Sequence, residues 1–178
     1  MTIDSAASAA EAPPRDPPDE FVARLYRSHA IALIRVALML LGDQPSAEDV
    51  VQDAFLGLQR GLPRLREPAK ALPYLRASVV NGCRTVQRSR TRARHRHVAP
   101  EPPVWSAESA AIATEERRAV LAAVADLPRR AREILALRYY LDLSDNEIAG
   151  ILGVSRSTVS STASRALATL ARKLEEQV

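Results

Sequence analysis

Leu143-Ser-Asp-Asn-Glu-Ile-Ala-Gly-Ile-Leu-Gly-Val-Ser-Arg-Ser-Thr-Val-Ser-Ser-Thr-Ala-Ser-Arg-Ala-Leu167 joins two short helical patterns at a glycine. Ser144 with Glu147 three residues on forms a capping box, so a helix is expected to start there. Ile148, Ile151 and Leu152 fall on one face of it, and Gly153 is placed to end it in a left-handed cap that a Cβ would resist. Ser155 can cap a second helix, along which Val159, Ala163, Leu167, Leu170 and Leu174 recur every three or four residues and are expected to turn inward. Arg156, Ser157, Ser160, Ser161, Ser164 and Arg165 are then left outward, a small, polar and basic face.

Two helices with a Gly-containing turn between them, the second carrying such a face, match a DNA-reading helix-turn-helix. Small side chains let a helix sink into the major groove while arginines reach guanine edges and phosphates. An ordinary helical hairpin with a solvated serine face would share the capping pattern, so the rest of the chain has to decide.

The 178 residues are 47% hydrophobic, enough for one or two small domains with cores of their own. Aromatic residues make up only 4%, and long alanine, leucine and arginine-rich runs with little glycine indicate an all-α fold. The net charge of +4 permits a nucleic-acid partner, although its distribution matters more than its sum. A single cysteine, Cys83, rules out an internal disulfide and reads as a small core residue. No carboxylate cluster and no His or Cys at metal-ligand spacing is present, so no metal, no cofactor and no hydrolytic centre is expected.

Residues 1–18 mix alanine, proline and acidic residues without periodicity and are expected to form a disordered tail with no signal-peptide character. Asp19 can cap a helix carrying Phe21, Leu25 and the apolar run from Ala30 to Leu41; that run contains Arg35 and falls short of the roughly 20 apolar residues a bilayer requires, so it reads as a core helix. After a break at residues 42–46, a helix from Ala47 to about Arg60 has Val50, Val51, Ala54, Phe55 and Leu58 on its apolar side. Opposite them stand Asp49, Gln52, Asp53, Leu56 and Arg60, an acidic and amide face. A solvated stripe would show the same charges, but a leucine in its middle favours a docking surface.

Residues 61–73, with three prolines, read as a loop. A third helix from Tyr74 places Leu75, Val79, Cys83 and Val86 toward the core, and Ala77, Val80, Asn81, Arg84 and Arg88 away from it. It runs into Arg90-Thr-Arg-Ala-Arg-His-Arg-His97, a basic track suited to phosphates; a membrane-surface helix or a solubilising tail would share the charge. The prolines of residues 98–107 mark a linker, and Trp105 within it packs on the following domain or anchors a partner. Beyond it, Ile112, Val120, Val124 and Leu127, then Pro128 at a helix start, then Ile134, Leu135, Leu137 and Tyr139 complete a small bundle leading into the helix-turn-helix. The expected organisation is a tail (1–18), a helical domain (19–97), a linker (98–107) and a helix-turn-helix domain (108–178).

In this order and spacing, Ala47-Glu-Asp-Val-Val-Gln-Asp-Ala-Phe55, Tyr74-Leu-Arg-Ala-Ser-Val-Val-Asn81, Leu127-Pro-Arg-Arg-Ala-Arg-Glu-Ile-Leu135 and the opening stretch together resemble the extracytoplasmic-function sigma factors, the minimal specificity subunits of bacterial RNA polymerase. The resemblance covers roughly Asp19 to Leu174. It implies a cytoplasmic, non-enzymatic initiation factor that binds core RNA polymerase, through the β′ coiled coil and the β subunit, and promoter DNA. It admits an anti-sigma factor and implies a monomer when free, with no membrane contact. By resemblance, Asp49, Gln52, Asp53 and Leu56 would meet the β′ coiled coil; Asn81, Arg84 and Arg88 would read the melted non-template strand of the −10 element; and the loop from Leu62 to Leu72 would capture a flipped base. Arg156, Ser157, Ser160, Ser161, Ser164 and Arg165 would read the −35 element as duplex. A stand-alone helix-turn-helix regulator, its first half an interaction module, is the rival reading, and it differs in predicting tight duplex binding by the chain alone.

Overall fold

The computed structural model describes residues 17–65, 67–95, 120 and 122–175. The predicted tail through Asp16, the linker with Trp105, and Ile112 lie outside them. Six helices account for most of what is described: α1 (Pro18–Leu41), α2 (Gln44–Gly61), α3 (Ala71–His95), α4 (Arg129–Tyr140), α5 (Asp145–Leu152) and α6 (Arg156–Glu175). Two single 3-10 turns, Leu62–Arg64 and Pro68–Lys70, connect α2 to α3. The all-α reading of the sequence is thus met, with no strand among the described residues.

The helix ends follow local chemistry, with some shifts from expectation. α1 starts at Pro18 with Pro17 at its cap, and Asp19 sits inside the first turn, where its charge faces the positive end of the helix dipole, instead of capping it. α2 begins at Gln44, three residues earlier than its apolar pattern suggests. Asp43 accepts from the Ser46 backbone N–H at 3.0 Å, and Pro45 fits the first turn, where no N–H is needed. α3 likewise starts at Ala71, with Pro73 tolerated in its first turn. The α5 cap forms as the sequence predicts: Ser144 N–H donates to Glu147 at 2.9 Å, Glu147 N–H returns to Ser144 Oγ, and Gly153 closes the helix at φ +66°. Ser155 Oγ accepts from the Thr158 N–H at 3.1 Å and starts α6.

Packing first joins α1, α2 and α3. Val50, Val51, Ala54, Phe55 and Leu58 of α2 are buried against Leu33, Val36 and Leu40 of α1 and Leu75, Val79 and Cys83 of α3, as one cluster. Phe55 and Tyr26 meet in a T-shaped arrangement, 5.0 Å between centroids. α2 and α3 approach so closely at Gly82 that a Cβ there would stand 2.8 Å from Val50 Cγ1. In the second half, Ile134, Leu135 and Leu137 of α4 are buried with Ile148, Leu152, Val159 and Ala163. Arg138 pairs with Asp145 to tie α4 to α5, and Lys173 reaches Asp126 at 2.6 Å to hold the end of α6.

The two halves also pack on each other, α1 against α4 and α3 against α5, and their buried side chains belong to one cluster. One expectation changes for that reason, and others for local ones. Val80, placed outward by periodicity, is buried, because α3 is covered from both halves. On α6 the inward position falls to Ala166, and Leu167 stays 39% exposed, since a period of 3.6 carries the buried line through 159, 163, 166 and 170. Tyr139, expected to complete the bundle, is 62% exposed near the end of α4, and Val120 also faces outward.

Candidate polymerase and nucleic-acid interfaces

Along α2, residues at spacings of three and four share a face, and there Asp49, Gln52, Asp53 and Leu56 are all exposed, Leu56 by 42%. No ion pair to Asp49 or Asp53 forms among the described residues. Asp53 also borders a cleft of about 320 Å³ between α2 and α3, lined among others by Gly57, Gly82, Tyr74, Ser78 and Thr85. The face offers carboxylates around an apolar centre, the complement of a basic surface with an apolar contact.

α3 carries its three predicted residues differently. Asn81 and Arg88 are exposed. Arg84 is turned toward the second half, where its Nε and Nη2 donate to the two carboxylate oxygens of Glu133 at 2.8 and 2.9 Å, while Nη1 reaches Asn81 Oδ1 at 3.2 Å. Glu133 is 1% exposed, and Arg130 Nη1 donates to it at 3.1 Å with Arg129 Nε 3.7 Å away. The hydrogen bonds to Glu133 push the Arg84 guanidinium upward despite its partial burial, so it is a fixed cation. A second, longer contact, Arg76 to Glu147 at 3.8 Å, also crosses between the halves.

Sequence reasoning missed Glu133, although a glutamate beside Ile134 and Leu135, flanked by Arg129, Arg130 and Arg132, was a signal of a charge needing a buried partner. It also misplaced Arg90, assigned to the phosphate track. Arg90 donates to the carbonyls and side chains at the α1–α2 junction, Leu41 O at 2.9 Å, Ser46 Oγ at 2.8 Å and the Asp43 carboxylate. Burial alone would raise the Asp43 carboxyl, but hydrogen bonds from Ser46 and Arg90 outweigh it and hold the group below the ordinary carboxylate range.

Along α6, Arg156, Ser157, Ser160, Ser161, Ser164 and Arg165 are all exposed, as predicted, while Val159, Ala163 and Ala166 hold the helix to the core. Ser161 Oγ donates to the Thr158 carbonyl at 3.3 Å, and Arg165 Nε to the Ser161 carbonyl at 3.2 Å. The 62–72 stretch expected as a loop is two 3-10 turns that run into α3 at Ala71, with Lys70 on Glu67 at 2.8 Å as an exposed pair inside it; Arg66 lies outside the described residues. Burial raises the Cys83 thiol to about 12, with Glu133 nearby adding to it, which leaves it a packing residue. No group of three His, Cys, Asp or Glu side chains among the described residues could hold a metal ion.

Residues 25–93 match Sigma-70 region 2, and residues 117–170 match Sigma-70, region 4. The chain is 33% identical to the ECF RNA polymerase sigma factor SigM of Mycobacterium tuberculosis over 85% of its own length and 76% of that protein's, and 32% identical to SigL of the same organism over 97% and 95%. It is 35% identical to the probable RNA polymerase sigma factor RfaY of Xanthomonas campestris, covering 78% of this chain but spanning only 36% of that protein's length. Among solved structures, the sigma factor RpoE of Bartonella quintana bound to the anti-sigma factor NepR has the same fold at a TM-score of 0.70 and 22% identity over 88% of this chain and 98% of that one. CnrH bound to the cytosolic domain of CnrY gives 0.67 and 22% over 90% and 96%. The chain belongs to the sigma-70 family, in its extracytoplasmic-function branch. It is accordingly an RNA polymerase sigma factor, a partner of core polymerase and promoter DNA in promoter recognition and transcription initiation. Sigma factors of this family are non-enzymatic and act on polymerase in the cytoplasm; no helix among the described residues is long and apolar enough to cross a membrane.

Proposed function

We propose a division of labour among three faces. Asp49, Gln52, Asp53 and Leu56 of α2 dock on a basic, partly apolar surface of core polymerase, the β′ coiled coil. Asn81, Arg84 and Arg88 of α3 hold the melted non-template strand of the −10 element, with the 62–72 loop receiving a flipped base. Arg156, Ser157, Ser160, Ser161, Ser164 and Arg165 of α6 read the −35 element as duplex. Catching an unstacked base and holding the backbone stabilise the open strand without covalent chemistry, so this chain does its work without being an enzyme, and it does so where core polymerase is, in the cytoplasm.

The observation that carries the reading is the α6 face: six small or basic side chains spaced along the helix are exposed, while the helix is anchored by Val159, Ala163 and Ala166. The fold shared with chains solved in complex with NepR and CnrY supports an anti-sigma partner for this one as well. A pull-down of the tagged chain from bacterial lysate tests the core of the proposal. Stoichiometric β and β′ subunits are expected; their absence, together with tight specific duplex binding by the purified chain alone, would return the protein to the stand-alone regulators.

A further inference from the structure

We propose that Glu133 is an internal stand-in for DNA phosphate, latching the free chain closed by occupying the α3 arginine that the open promoter strand requires. The inference rests on the reading of α3 as the −10 surface. The guanidinium fork recognises a carboxylate and a phosphate with the same pair of parallel N–H bonds. Arg84 spends that pair on Glu133, at 2.8 and 2.9 Å, across the boundary between the two halves. One arginine cannot serve both partners in that geometry.

The closed arrangement also cannot be the working one. Elements centred near −10 and −35 lie about 25 base pairs apart, which is about 85 Å of duplex at about 3.4 Å per step. A compact globule of about 150 residues has a radius of gyration of about 15 Å. To touch both elements, α3 and α6 must separate, and the α1–α4 and α3–α5 contacts together with the Arg84–Glu133 pair must break. Opening does not strand Glu133, because Arg129 and Arg130 lie on its own helix and stay with it. The same step frees Arg84 beside the already exposed Asn81 and Arg88. Meanwhile the faces on α2 and α6 are exposed in the closed chain, so the latch withholds one arginine, Arg84, from the strand-holding surface and leaves polymerase docking and duplex reading accessible.

The test measures closure and strand binding on the full chain. Spin labels on Ala23→Cys and Ala168→Cys, both exposed positions, report the separation of the halves, and buried Cys83 stays unlabelled. One short distance is expected for the parent, and longer, broader distributions for Glu133→Gln and for Arg84→Gln. Binding of a fluorescent non-template −10 oligonucleotide should tighten about tenfold in Glu133→Gln, the scale of a charged hydrogen-bond pair removed from competition. The double variant should lose that gain, whereas mere removal of negative charge would preserve it and overturn the masking. An unchanged distance in Glu133→Gln with helicity retained overturns the latch while leaving the reading of α3 intact. Opening with no gain in strand affinity overturns the masking and, with it, that reading. If Glu133→Gln loses helicity, the Arg84→Gln distance decides alone: a lengthened one supports the latch, an unchanged one overturns it.

Discussion

Arg156 opens α6 and Arg165 lies about two and a half turns further along it. Early residues of a recognition helix enter deepest and meet base edges, while later ones rise toward the backbone. Arg156→Ala is therefore expected to cost about 1 to 3 kcal/mol on the preferred −35 sequence and to flatten discrimination among variants, whereas Arg165→Ala should weaken all sequences alike and reduce the salt slope by about one. Holoenzyme affinities on a small panel of −35 variants at several salt concentrations separate the two; equal weakening by Arg156→Ala would move base reading to the serines. Asp43 gives a second expectation, this time with a pH sign. Its carboxyl is held below the ordinary range, so its contribution is fully present above the unfolded pKa of about 3.9 and is lost as pH falls through the lower folded value. Asp43→Ala should cost about 1 to 2 kcal/mol in urea unfolding at pH 7, and the gap to the parent should close in strong acid. An unchanged gap at low pH would assign the loss to packing. The Asp43 cap was missed because the apolar pattern begins only at Ala47, and its bond to Arg90 was not readable, because those residues stand 47 apart in sequence and periodicity carries no tertiary address.

At the scale of the helix, the same divide recurs. The α5 cap, the Gly153 turn, the buried line of α2 and that of α6 as far as Ala163 were legible because each depends on residues within about four positions of one another, whereas further along α6 Leu167 was taken for the inward position that Ala166 holds. Val80 and Tyr139 were not, since their exposure is set by which neighbouring element covers a face. The same holds for the sites: the α2 and α6 faces could be read from spacing, whereas the commitment of Arg84 to Glu133 needed the halves in contact. On α2, Asp49→Arg with Asp53→Arg should abolish core-polymerase binding while circular dichroism stays unchanged, as both positions are exposed. Normal binding by that variant would make the acidic face an ordinary solvated one. Where α2 meets α3, Gly82→Ala sets a Cβ against Val50 and should destabilise by about 1 to 3 kcal/mol, read by denaturant midpoint. A midpoint shift below that range would mean that Val50 can turn aside.

For the whole molecule, one buried cluster running through both halves implies cooperative unfolding, so calorimetry of the free chain should give a single transition. Arg84→Gln is expected to split it into two, since the bidentate pair at the boundary is then lost. Two transitions already in the parent would mean that the halves melt independently. A separate consequence follows from how α6 is fastened. Its buried side chains are Val159, Ala163 and Ala166, none of which lies on the proposed reading face, and the exposed residues contribute little to the core. Exchanges at such exposed positions usually change stability by no more than about 0.5 kcal/mol. On the proposed role of that face, duplicated copies of such a chain are free to drift toward different promoters without first losing the fold, and a bacterium multiplies its transcriptional programmes by substituting a handful of letters on one surface.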